Sequence, residues 1–104
     1  MTNLYHIFGD PTRQRILSMT AQRECTQSEL VDVFSISQPA LKKHLDLLVN
    51  ESLLHVKKRG KFRYYRLNEA MYIRASQHIQ QDLESMFDQK LHQLKHFLEE
   101  ENHD

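Results

Sequence analysis

The sequence predicts a mainly helical fold with one small β-hairpin, and three observations carry that expectation. Only two Gly and two Pro interrupt its 104 residues, too few for a many-turned β fold. Apolar residues recur at three- and four-residue steps over most of the chain, and between Leu53 and Leu67 the period drops to two. The longest helical stripe, Ile79, Leu83, Met86, Phe87, Leu91, Leu94 and Leu98, lies towards the C-terminal end. With 39% hydrophobic and 27% charged residues the chain has the composition of one folded domain, 1–104, and not of a disordered tail. A chain of this size buries only about 60 to 68% of its unfolded surface, so a second copy would add burial that one core lacks.

Each element has its own local signal. Asp10 before Pro11 reads as an N-cap with proline at the first helical position, and Ile16, Leu17 and Ala21 supply an apolar side. Leu4, Tyr5 and Phe8 suggest a short helical segment ahead of it. Thr26 and Glu29 have the spacing of a capping box, with Leu30, Val31 and Phe34 as the apolar face of a second, two-turn helix. After Ser35 and Ile36, Ser37 caps a third helix in which Leu41, Leu45 and Leu48 share one face. That is helix, tight turn, helix. Leu54 and Val56 then alternate with His55 and Lys57, Arg59-Gly60-Lys61 makes a turn, and Phe62 to Leu67 alternate again. Asn68 caps the last helix, which at 1.5 Å per residue would run about 45 to 50 Å if continuous to Glu101. One small domain cannot cover such a helix alone.

Charge separates sharply along the chain. The whole is neutral, with 14 basic and 14 acidic residues, yet residues 42–75 carry nine basic against three acidic residues, a net of +6. Residues 1–41 sum to −1 and residues 76–104 to −5. Screening confines each charge to roughly 8 to 10 Å, so the basic block attracts phosphates whatever the total. On the third helix Pro39, Lys42, Lys43 and Asp46 point away from the leucines, and Gln38 stands in the exposed first turn. A helix-turn-helix presents these positions to the major groove, where Gln pairs with adenine and Lys with guanine or a phosphate. Arg59, Lys61 and Arg63 at the hairpin tip suit backbone or minor-groove contact. Double-stranded DNA is the expected partner, with base reading and phosphate anchoring separated along the chain.

The runs FGDPTRQRIL, SELVDVFSISQPALKKHLDLLVNESLL and KKRGKFRYYRLNEA resemble the ArsR-type winged helix-turn-helix repressors over about residues 3–75. The GDPTR opening, the SQPALKKHL helix and the G-x-x-x-Y-Y-R-L wing occur in order at family spacing. The resemblance implies a transcriptional repressor that binds a palindromic operator as a homodimer, with a DNA-binding part over about 10–67 and dimerisation by about 3–8 and 69–101. It points to Gln38, Pro39, Lys42 and Lys43 for the major groove, beside the capping Ser37, and to the wing around Gly60. Seam candidates are Leu4, Tyr5 and Phe8 with Ile79, Leu83, Phe87, Leu91 and Leu94.

Two departures from the family bear on sensing. Thiolate sensors pair cysteines on the helix beginning near Thr26, whereas this chain has only Cys25 ahead of it, read as a small half-buried residue at the start of a helix or, alternatively, as a redox thiol. Zinc and nickel sensors use an Asp-x-His pair early in the last helix, for which Asp82-Leu83-Glu84 is a poor match. Asp88, His92 and His96 form a polar stripe that one helix cannot close around a metal, since its ends lie about 12 Å apart. No cofactor is therefore expected, and a metal- or redox-responsive repressor remains an alternative. No nucleophile with a base at sensible spacing suggests an enzyme. A protein-interaction module on the same fold is the other alternative. The opening MTNLYHIFGD has neither a basic nor an apolar signal segment and no stretch suits a membrane span, so a cytoplasmic location is expected.

Overall fold

The caps read from the sequence place most of the helix starts in a computed structural model that describes residues 4–101. Asn3, the expected start of the N-terminal dimerisation segment, lies outside the described residues. A short α1 (Leu4–Phe8) precedes α2 (Pro11–Gln22), whose N-cap Asp10 accepts a bond from the Arg13 N–H at 2.9 Å. That bond is the main reason the Asp10 carboxyl titrates below the ordinary carboxylate range. Thr26 and Ser37 cap α3 (Gln27–Val33) and α4 (Gln38–Asn50) in the same way, accepting from the N–H groups of Glu29 and Ala40 at 3.2 Å each. The hairpin comprises β2 (Leu54–Arg59) and β3 (Phe62–Leu67), and α5 (Glu69–Glu101) follows, with Asn68 Oδ1 accepting from the Met71 N–H.

The sheet holds a strand that no periodicity announces. Between α2 and α3, β1 (Cys25–Thr26) pairs antiparallel with β3, Cys25 opposite Tyr65 and Thr26 opposite Tyr64, giving the order β1-β3-β2. Two residues cannot display an alternation, and Thr26 serves both elements because an N-cap already has extended backbone. Cys25 is accordingly not half-buried but buried, at 1% exposure.

The core lies between α2, α4 and the sheet. Ile16 and Leu17 of α2, Leu30 of α3, Leu41, Leu45 and Leu48 of α4, and Leu53, Leu54 and Tyr65 are all buried. On α2 the third buried position is Thr20 and not the expected Ala21, which is exposed. Thr20 tolerates burial because its hydroxyl donates to the Ile16 and Leu17 carbonyl oxygens, at 2.8 and 3.2 Å. The alternation of β2 buries only Leu54, and Val56 stays exposed.

Two of the described positions need left-handed backbone. Gly60, at φ 61°, begins the two-residue hairpin connection between the paired Arg59 and Phe62, as a first position with positive φ requires. Ser52, at φ 62°, ends α4: its N–H donates to Val49 O at 3.0 Å and the Leu53 N–H to Leu48 O at 2.9 Å, the two bonds of a Schellman motif. Glycine usually holds that position, since a side chain there costs roughly 1–2 kcal/mol. Ser52→Gly should therefore raise stability by about 1 kcal/mol, read in thermal melts as a gain of about 4–8 °C. An unchanged or lower midpoint would mean that Ser52 contributes through its hydroxyl.

The chain divides into two units at Arg74 and Ala75. The first contains α1 to β3 and the opening turns of α5, where Phe8 meets Tyr72 with ring centroids 5.4 Å apart. In the second, the rest of α5 leaves Leu83, Met86, Phe87, Leu91, Leu94, Phe97 and Leu98 exposed. No helix among the described residues is long and apolar enough to cross a membrane.

Candidate nucleic-acid interface

The face that α4 turns to solvent follows from the burial of its leucines. With Leu41, Leu45 and Leu48 fully buried, Lys42, Lys43 and Asp46 are exposed and His44 and Leu47 half-buried, and Gln38 and Pro39 in the first turn are exposed too. Ser37 holds that turn through its hydroxyl. Lys42 Nζ lies 3.3 Å from Asp46 Oδ2, one helical turn on, an exposed pair too weak to withhold the ammonium from a stronger anion.

Next to α4 the fold builds an open groove of about 530 Å³. Its walls are Gln38 and Lys42 of α4, Thr26, Gln27 and Ser28 at the start of α3, and Lys61, Phe62 and Arg63 of the wing. Base-reading and phosphate-anchoring candidates that stand some twenty positions apart in sequence thus share one groove. Three cations and several amide or hydroxyl groups line it, which is the chemistry of a polyanion that also carries hydrogen-bonding bases. Lys61 Nζ also lies 5.5 Å from the Phe62 ring centroid. Pro39 and Lys43 are exposed on α4 but do not line the groove. Gln27 and Ser28 were not singled out from sequence, because neither interrupts a periodic pattern and only the pairing of β1 brings them beside the wing.

Arg59 is placed differently from Lys61 and Arg63. It does not line the groove; its guanidinium forks onto the Glu24 carboxylate, Nη1 to Oε2 at 3.1 Å and Nη2 to Oε1 at 3.2 Å, above the Tyr64 ring.

The remaining candidates lie elsewhere. Tyr5 is exposed, and Leu4, Phe8 and Ile79 are half-buried. Leu83, Phe87, Leu91 and Leu94 are between 50% and 64% exposed, a contiguous apolar stripe of the kind that marks an interaction surface. Asp88, His92 and His96 are exposed on α5, where His96 Nε2 pairs with Glu100 at 3.1 Å. Among the described residues no three His, Cys, Asp or Glu side chains assemble into a metal-holding group. Burial pushes the Cys25 thiol above its ordinary pKa, which disfavours the reactive thiolate.

This arrangement has counterparts among known proteins. Residues 10–56 match the family described as bacterial regulatory protein, arsR family. The chain is 32% identical over 68 residues to the transcriptional repressor SdpR of Bacillus subtilis (strain 168), spanning 65% of this chain and 76% of that protein. It is 31% identical over 71 residues to the arsenical resistance operon repressor of Staphylococcus aureus, spanning 68% of each. A crystal structure described as a possible transcriptional regulator for arsenical resistance superposes with a TM-score of 0.73 at 25% identity, over 86% of this chain and 97% of that one.

Proposed function

The chain belongs to the ArsR family of bacterial transcriptional regulators, and from that premise we propose that it is a homodimeric repressor reading a palindromic operator in double-stranded DNA. The observation that supports this most is the shared groove of Gln38, Lys42, Lys61 and Arg63. In the proposal α4 enters the major groove, with Ser37 fixing its first turn and Gln38, Pro39, Lys42 and Lys43 facing the bases and nearby phosphates. Lys61 and Arg63 hold the flanking backbone. A second copy packs against the apolar stripe of α5 and against Leu4, Tyr5 or Phe8, and twofold symmetry sets the half-sites about 34 to 36 Å apart. The family is one of DNA-binding regulators and not of enzymes, and the proposal invokes no cofactor.

Gln38→Ala and Lys61→Ala separate reading from anchoring. On duplexes enriched by the wild-type protein, Gln38→Ala should relax the preference at one base pair, a cost of about 1–3 kcal/mol. Lys61→Ala should instead weaken all sequences alike and lower the logarithmic salt slope by about one. Both are read by binding titrations at several salt concentrations. A Gln38→Ala protein with its base preference intact would place the reading face elsewhere on the molecule.

A further inference from the structure

The pair formed by Arg59 and Glu24 spans the whole sheet. Arg59 ends β2 and Glu24 immediately precedes β1, and in the order β1-β3-β2 these are the two outer strands. To reach Glu24 the Arg59 side chain has to cross β3, and it does so over Tyr64, its Cζ 4.9 Å from the ring centroid. The planar guanidinium thus uses its face on an aromatic ring and its edge on a carboxylate, a combination an ammonium cannot reproduce. Glu24 is the less accessible partner, its side chain 28% exposed against 54% for Arg59. The two residues are 35 positions apart in sequence, so the contact closes a long loop and does not decorate a local turn.

From this geometry we infer that Arg59 is a positioning residue that straps the wing to the β1 edge through Glu24, and that the wing's phosphate contacts come from Lys61 and Arg63. Gly60 is followed at once by Lys61, so fixing the Arg59 side chain fixes the point from which the wing tip departs. The pair is also electrically neutral. It releases no DNA counterions of its own, and it cancels the charge of the Glu24 carboxylate, which would otherwise repel phosphates.

Were Arg59 a phosphate ligand, removing the Glu24 charge would free it and tighten DNA binding. As a strap, the pair loses its function when either member is changed.

The DNA part of the test rests on the proposed operator binding, and a first measurement on the free protein does not. Hydrogen exchange of the amides from Phe62 to Tyr65 should accelerate about threefold in both Glu24→Gln and Arg59→Lys, with exchange in α4 unchanged. Unaltered exchange at the wing in both variants would overturn the strap. In the second measurement, on a duplex enriched by the wild type, Glu24→Gln should bind about three- to fivefold more weakly. The double variant Glu24→Gln, Arg59→Gln should show a similar loss with an unchanged salt slope. Tighter binding by Glu24→Gln, or a slope lowered by about 0.9 in the double variant, would make Arg59 a phosphate ligand and overturn the inference. If the wild type enriches no duplex, the operator reading fails, and the exchange measurement still decides whether the strap exists.

Discussion

A Leu83→Asp, Leu91→Asp double variant is expected to sediment as a monomer and to lose operator binding while keeping its helical content. Leu83 and Leu91 are 53% and 50% exposed in the protomer, so neither substitution opens a cavity in it. Covering a Leu side chain contributes about 1.5–3 kcal/mol, and twofold symmetry counts each residue twice. The aspartates also add charge to a segment, residues 76–104, that already sums to −5, so two copies would repel. Losing even half of the apolar contribution shifts the dimer equilibrium by several powers of ten, about one for each 1.4 kcal/mol. A lone protomer reaches one half-site only, and operator affinity falls with it. Circular dichroism reports the helix and sedimentation velocity the assembly. A tight dimer in the double variant would place the seam elsewhere.

The second large effect lies in the core behind the groove. Leu45→Ala should destabilise the protein by about 2–5 kcal/mol, out of a total that for domains of this kind is about 5–15 kcal/mol. Leu45 is fully buried on the core-facing side of α4, so the substitution leaves a cavity behind the helix proposed to read DNA. The thermal midpoint should fall by about 8 °C or more, at about 4–8 °C per kcal/mol. Its exposed neighbour is the control: Asp46→Ala removes only the partner of Lys42 and should change stability by about 0.5 kcal/mol or less. Equal effects at the two positions would contradict the assignment of the buried face of α4.

These two positions also show which parts of the molecule were legible in its residue order. The leucine spacing of α4 and the caps Asp10, Thr26, Ser37 and Asn68 are relations between residues three or four apart, and the structure contains each of them. The hairpin and its turn at Gly60 are equally local. Most of what escaped was set at a distance. Strand β1 exists only because β3 runs beside it, and the burial of Cys25 and the placing of Gln27 and Ser28 follow from that pairing. Thr20, not Ala21, occupies the buried face, a local exception that its hydroxyl tolerates by bonding the preceding turn. Ser52 in left-handed backbone carries no sign in sequence, where glycine would have announced the end of α4. For the groove, the residue types of α4 and the wing were visible separately; that Gln38, Lys42, Lys61 and Arg63 converge depends on how the sheet packs behind α4. Arg59 read as one more wing cation, and only its fork onto Glu24 sets it apart.

Selection from random duplex DNA by the purified wild-type protein, with the enriched pool tested for stoichiometry and salt dependence, decides whether the groove and the α5 stripe together make a dimer that reads DNA. Enrichment of duplexes with two inverted half-sites about one helical turn apart is expected, each bound by two protomers with an affinity that falls steeply as salt rises. A pool with no shared sequence, or binding indifferent to salt, would contradict the account and turn the basic groove into a surface for some other partner.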